Sequence, residues 1–143
     1  MDPQLLPIGA VARRFGLAVS TLHYWERRGV VHPTVRSSGR RFYGTDEIYR
    51  IALVTTWQET GLMSLDEIAA VLDGRTSTSD WKEIVGSRIR EIDAQLERLA
   101  SARSYLRHML DCPRDNPARD CPELRTEVTR RLLSAGDDAE TSA

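Results

Sequence analysis

Side chains able to hydrogen-bond to nucleic-acid bases are concentrated close to residue 20. Segment 20–28 places Leu22 and Trp25 on one side of a helix, and its polar residues fall on the other side. Hydroxyl, imidazole and phenol groups in the first turns of a helix contact base edges in a DNA major groove, and arginines further along reach phosphates. The candidates for these contacts are Ser20, Thr21, His23, Tyr24 and Arg27. The alternative is that Tyr24 packs in the core and His23 is merely solvated.

A second basic cluster follows a few residues later. Arg36, Arg40 and Arg41 surround the segment Ser37-Ser38-Gly39, and extended segments 31–35 and 41–43 flank it. Gly39 supplies the positive φ that a tight hairpin requires. The pattern predicts a two-stranded wing whose arginines contact the DNA backbone or minor groove, although a solvated loop is the alternative.

The charge distribution agrees with a nucleic-acid surface in the first part of the chain. The net charge of −1 conceals +4 over residues 1–50 and −5 over residues 51–143. Two acidic pairs, Asp46-Glu47 and Asp66-Glu67, are candidates for acid and base catalysis. Both lie in predicted first turns of helices, where they stabilise the helix dipole, and no nucleophile or phosphate loop accompanies them. We therefore do not expect an enzyme.

Helices must hold the two basic clusters in place. A first helix over 8–15 ends at Gly16, Ser20 is expected to cap the second helix, and Thr45 is expected to cap a third that runs to about residue 60. Ser64 and Glu67 form a capping box that opens a fourth helix, which stops at Gly74. Residues 5–74 thus predict one mainly α domain, a winged helix-turn-helix with four helices and a small two-stranded wing.

The rest of the chain predicts a long helix and a short appendage. Residues 75–80 are small and polar, as in a hinge, and apolar residues then recur at spacings of four and three over 81–110. One apolar seam on so long a helix needs a partner, and a second copy of the chain is the simplest one. Residues 111–134 hold a loop with both cysteines and a short helix, and 135–143 are expected to be a disordered tail.

The cysteines and the absence of long apolar runs bear on where the protein is located and on which effector it senses. No apolar run approaches the roughly 20 residues of a membrane helix, and the first residues do not resemble a secretory signal, so we expect a cytoplasmic protein with reduced thiols. Thiolates at Cys112 and Cys121 suit a soft ion such as Cu(I), and His108, Asp111 or Asp120 would add ligands for Zn(II). A thiol-redox pair and a purely structural pair are the alternatives.

Several blocks of the sequence together resemble one family. These are Ile8-Gly9-Ala10-Val11-Ala12, Thr21-Leu22-His23-Tyr24-Trp25-Glu26-Arg27-Arg28-Gly29-Val30-Val31 with Pro33, Gly39-Arg40-Arg41-Phe42-Tyr43, and Gly61-Leu62-Met63-Ser64-Leu65-Asp66-Glu67-Ile68. In this order they resemble the MerR family of bacterial transcription regulators, over about residues 6–110. His23 stands where members usually carry arginine, and Trp25 where they usually carry tyrosine.

The resemblance implies a homodimer joined by an antiparallel coiled coil of long helices, which binds a pseudo-palindromic element in double-stranded promoter DNA. Such regulators distort an over-long promoter spacer so that RNA polymerase engages both promoter elements. Arg41 and Tyr43 would contact the DNA backbone. An effector-independent or architectural DNA-binding protein is the alternative, and a helical protein-binding adaptor is a further one.

The resemblance also bears on the identity of the effector that would control the protein. Metal-sensing members place ligands in the loop after the long helix, where Cys112 and Cys121 stand. Thr78 and Ser79 occupy the place where divalent sensors carry an extra cysteine, which argues against a mercury, lead or zinc sensor of the usual design. The four clustered cysteines of an iron-sulfur sensor are also missing from the sequence.

Overall fold

The computed structural model describes residues 4–74 and 80–140, which contain seven helices and three short strands. In chain order they are β1 (Leu6–Pro7), α1 (Ile8–Phe15), α2 (Val19–Arg27), β2 (Val35–Ser37), β3 (Arg40–Tyr43), α3 (Thr45–Glu59), α4 (Leu65–Asp73), α5 (Asp80–Leu110), α6 (Pro117–Asp120) and α7 (Pro122–Glu140). The predicted mainly α fold with a small wing and a long helix is confirmed.

The core of the first part of the chain is built from the predicted apolar faces. Each of the first four helices contributes to it, and its buried members are Val11, Ala12, Leu22, Trp25, Val30, Val31, Tyr43, Ile51, Val54 and Ile68. Residues three or four apart on a helix share a face, which is why α1 and α2 each offer a pair of neighbouring side chains to this core. The core therefore holds α2 with its polar side turned outward.

The wing has one strand more than the sequence predicts. The hairpin of β2 and β3 turns at Ser38 and Gly39, both with positive φ, as expected for a two-residue turn. β1 adds a third antiparallel strand beside β3, with Leu6 opposite Tyr43, so the strand order is β1-β3-β2. A two-residue strand ending in proline has no alternating pattern, which explains why the sequence did not indicate it.

Helix termini agree with prediction where side chains form the cap. Ser64 accepts a hydrogen bond from the backbone N–H of Glu67 at 3.2 Å, and the Glu67 carboxylate accepts one from the N–H of Ser64 at 2.7 Å. Gly16 and Gly74 have the left-handed conformation of helix C-caps. The expectation that Ser20 caps α2 was wrong, because the helix begins at Val19, two residues earlier than predicted, and Ala18 is its N-cap without a side-chain bond. The expectation that Thr45 caps α3 was also wrong, because Thr45 is the first residue of the helix and Gly44 is its N-cap.

The chain divides into two units, Met1–Glu91 and Ile92–Ala143. The first unit continues into α5 rather than ending at the predicted hinge, of which residues 75–79 lie outside the described residues. The link is Arg88 of α5, which donates from Nε and from its terminal nitrogen Nη2 to Oε2 of Glu67 in α4, at 3.1 and 2.5 Å. Burial alone would raise the pKa of Glu67, but the hydrogen bonds from Arg88 and Ser64 together lower it.

The second unit is helical throughout except for the loop that holds the cysteines. α5 runs without interruption to Leu110, as predicted, and Asn116 caps α6 by accepting from the N–H of Arg119 at 3.1 Å. α7 continues to Glu140, so it differs from the expected short helix that ends near residue 133 and from the expected disorder over 135–140. Among the described residues, no helix is both long and apolar enough to span a membrane.

Candidate nucleic-acid interface

The five residues predicted to contact DNA from a helix all lie on α2 and away from the core. Ser20, Tyr24 and Arg27 are exposed, and Thr21 and His23 are half-buried. Tyr24 is 43% exposed, so the alternative that it packs in the core is wrong. Because Leu22 and Trp25 bury the opposite side of the same helix, the polar side is presented to solvent on a rigid support.

The Tyr24 ring lies close to two arginines that have different surroundings. The guanidinium carbons of Arg27 and Arg28 lie 5.8 and 5.9 Å from the centre of the Tyr24 ring. Arg28 also donates to the Tyr24 hydroxyl at 3.3 Å and forms an ion pair with Asp66 of α4, and both interactions raise the pKa of its guanidinium. Within the described part of the chain Arg27 forms no ion pair. Arg28 therefore ties α2 to α4, whereas Arg27 remains available for a phosphate.

The wing arginines fall into two classes. Arg41 donates from Nε to Oε2 of Glu26 at 2.6 Å, and Arg36 forms an ion pair with the other carboxylate oxygen of Glu26. The Glu26 side chain, which lies on α2, is only 12% exposed. Arg40 is exposed and makes no ion pair with any described residue. One wing arginine is thus free, and the other two connect the wing to the recognition helix.

Tyr43 does not belong to the interface. Its side chain is 0% exposed, its hydroxyl has no hydrogen-bond partner among the described residues, and burial raises the pKa of that hydroxyl. The pairing of β1 with β3 places Leu6 opposite Tyr43, so the ring belongs to the core. The implied contact of Tyr43 with the DNA backbone was wrong, because a fully buried hydroxyl cannot reach a phosphate.

Two contacts that the sequence did not predict hold the segment between α2 and β2. Arg50 of α3 donates from Nε to the carbonyl of Val30 at 2.5 Å and pairs with Asp73 at 2.9 Å. The backbone N–H of His32 donates to Glu47 at 3.1 Å. Glu26 was also missed as a functional residue in the sequence analysis. Its position could have indicated a role, because it is the only acid among residues 3–45. The contacts of Glu26 fix α2 relative to the wing.

The two cysteines line one cavity in the second unit. Cys112 and Cys121 are both half-buried free thiols beside a cavity of about 460 Å³, which His108, Asp111 and Glu123 also line. The Cys121 thiol donates to the Glu123 carboxylate at 3.2 Å, and the pKa of Glu123 is lowered by its own backbone N–H and by this thiol. Within the described residues no three side chains of His, Cys, Asp or Glu are grouped closely enough to hold a metal ion.

A polar recognition helix and a basic wing on one small helical domain define a winged helix-turn-helix regulator that binds DNA. The model of the MerR HTH family of regulatory proteins matches residues 6–75, and the model of the MerR DNA-binding region matches residues 48–109. The chain belongs to the MerR family, whose members are transcription regulators.

Similar proteins agree with this assignment. The HTH-type transcriptional regulator CueR of Salmonella typhi is 30% identical over 121 residues, which cover 80% of this chain and 86% of CueR. The structure of PbrR691 from Ralstonia metallidurans in complex with lead(II) has a TM-score of 0.68 at 20% identity, and the match covers 85% of this chain and 98% of that one. HiNmlR, a MerR family regulator that lacks the sensor domain and is bound to promoter DNA, has a TM-score of 0.53 at 19% identity, with 75% and 88% covered. The two structural likenesses concern the fold.

Proposed function

We propose that the protein binds a pseudo-palindromic promoter element as a homodimer and distorts the promoter spacer so that RNA polymerase engages both promoter elements. The observation that carries this proposal is the presence of the polar face of α2 and the exposed wing residue Arg40 on one domain. We call this domain, which comprises residues 5–74, the head. Thr21, His23 and Tyr24 would meet base edges, while Arg27 and Arg40 would meet phosphates. Promoter DNA and reduced thiols both belong to the cytoplasm, which is the location we propose.

The homodimer is supported by the apolar residues that α5 leaves uncovered. Leu96, Leu99, Leu106 and Leu110 are all exposed. A row of leucines on a long helix is stable in water when a second helix covers it, and a second copy supplies an identical row. Two heads on one dimer match the two half-sites of a palindrome, and deforming the DNA between them costs several kcal/mol on elastic grounds. An uninterrupted α5 helix is suited to transmit the force that this deformation of the DNA requires.

Footprinting tests the proposal directly. The purified protein is incubated with a DNA fragment that carries the region upstream of its own coding sequence. We expect two protected half-sites, with enhanced cleavage between them where the duplex is deformed. Lack of any protected dyad in this region would overturn the proposal for this DNA.

Substitution of Arg40 tests the interface itself. Arg40→Ala should weaken binding to all sequences and reduce the slope of log affinity against log salt concentration by about 2, because each of the two heads of the dimer loses one phosphate contact. Arg130→Ala is the matched control, since it removes the same charge from an exposed position of α7. Equal effects of the two variants would contradict a role for the wing.

We also propose that a soft metal ion or a thiol-reactive signal acts at Cys112 and Cys121. Support comes from the position of both thiols on one cavity. A pair of thiolates suits a two-coordinate soft ion such as Cu(I), which would link the end of α5 to the segment that begins α7. The test is the metal content of protein purified without oxygen, beside the double variant Cys112→Ser, Cys121→Ser. The proposal fails if the double variant responds to every inducer of the parent protein to the same extent.

A further inference from the structure

Glu26 occupies an unusual electrostatic position in the head. It is the only acid among residues 3–45, and its carboxylate lies between one arginine from each strand of the wing hairpin. Arg36 of β2 and Arg41 of β3 stand directly opposite each other in the sheet register. Like charges at such a cross-strand pair repel each other. The Glu26 carboxylate, with one oxygen for each guanidinium, offsets that repulsion.

We propose that Glu26 is a positioning residue that fixes the angle between the wing and the recognition helix, and that this angle determines how strongly the head prefers its own DNA sequence. This inference rests on the proposed function. α2 carries the side chains that meet base edges, and β3 begins with Arg40, which is free for a phosphate. Because Glu26 bridges the two elements, it sets the separation between base contacts and backbone contacts.

Geometry and net charge make opposite predictions for this residue. Removal of Glu26 makes the head more positive by one unit and liberates two arginines, which on charge alone tightens binding to any DNA. If Glu26 acts by positioning, its removal weakens binding to the specific sequence while binding to other sequences holds or increases. The sign of the change in specific affinity therefore separates the two explanations.

The first experiment measures the affinity of Glu26→Gln for the upstream fragment and for a fragment of equal length and shuffled sequence. We expect the ratio of the two affinities to fall about tenfold, as for the loss of hydrogen bonds to a half-buried charged group. Glu59→Gln is the control, because it makes the same charge change at an exposed position of α3, and it should alter the ratio by less than about twofold. Tighter binding of Glu26→Gln to both fragments with an unchanged ratio would overturn the inference.

Two further variants separate positioning from a folding defect. Glu26→Asp keeps the charge on a shorter side chain that cannot span both arginines, so the ratio should again fall; a parental ratio overturns the inference. In a protein that already carries Arg36→Gln and Arg41→Gln, the addition of Glu26→Gln should leave the ratio unchanged. A full additional loss in that background would mean that Glu26 acts through something other than these arginines.

A readout without DNA keeps this inference distinct from the proposed function. Amide hydrogen exchange in β2 and β3 should be about tenfold faster in Glu26→Gln than in the parent, while α1 keeps its protection. The same amides should be unaffected in Glu59→Gln. Unchanged exchange in the hairpin would overturn the inference even if the footprint is found, and a missing footprint with faster exchange would overturn only the proposed function.

Discussion

The two units of the chain achieve their order in different ways. The ten side chains that are buried among the described residues all belong to the first unit, where ion pairs also tie α2 to the wing and to α4. In the second unit none of the described side chains, residues 92–136, is buried, and leucines lie exposed along α5. The head thus carries its own core, whereas we propose that the leucines of the long helix are covered by a surface from outside the chain. In the proposed homodimer, DNA contact and assembly would be carried by different parts of the chain.

The largest effect is expected where that outside surface is needed. Leu99 is 67% exposed in the single chain and would be covered in a dimer. Leu99→Asp should weaken dimerisation by more than about 3 kcal/mol, since a charge would be buried where a methyl-rich side chain packed. Sedimentation should show monomers, while the near-ultraviolet signal of the aromatic side chains packed in the head, Trp25 among them, should persist.

The matched control is Ser101→Asp, an exposed position of α5 outside the apolar seam. It should leave the protein dimeric. Collapse of the head in Leu99→Asp would break the comparison between the two units, because it would mean that the head has no core of its own.

A second prediction concerns a contact that extends the head into α5. The pKa of Glu67 is below its ordinary value of 4.5, so its carboxylate stabilises the fold above that pH and loses this effect as pH falls through the lowered pKa. Glu67→Gln should reduce the free energy of unfolding by about 1 kcal/mol at pH 7, because it weakens the capping box and the contact with Arg88.

Urea titrations of both proteins over a range of pH test this expectation. The difference between parent and variant should shrink as the pH falls below 4.5 and through the lowered pKa at which the parent carboxylate becomes protonated. Glu59→Gln, which removes a similar charge from an exposed helix end, should not reproduce this pH dependence. A constant difference at every pH would contradict the role of the charged form.

How much the sequence reveals also differs between parts of the molecule. The Ser64 capping box and the glycine at residue 74 were predictable because local residues decide them. The contacts of Glu26 join residues 10 and 15 positions apart, and no periodic pattern encodes such pairing. Tyr43 was assigned to DNA through resemblance, and its burial depends on β1, which the pattern could not indicate. Local chemistry was therefore easier to predict than the packing between elements.

Tyr43 provides a third prediction, which concerns the border between core and interface. Its hydroxyl is buried with no hydrogen-bond partner in the described part of the chain, and an unsatisfied hydroxyl destabilises the folded state. Tyr43→Phe should raise the free energy of unfolding by about 1 kcal/mol and leave DNA affinity unchanged. Chemical denaturation and titration with the upstream fragment measure the two quantities. A loss of affinity without a loss of stability would restore Tyr43 to the interface.

The smallest effect is expected at the turn between α3 and α4. Leu62 has a φ of +51° and is 61% exposed. At the neighbouring Gly61, an added Cβ would lie 2.9 Å from the carbonyl oxygen of Trp57. A side chain in the left-handed region costs about 1 kcal/mol, and glycine removes that cost but gains freedom in the unfolded chain. Leu62→Gly should therefore raise the free energy of unfolding by about 0.5 kcal/mol. Leu62→Ala retains the Cβ and should show no gain, so an equal gain in both variants would attribute the effect to loss of the exposed side chain rather than to relief of the backbone.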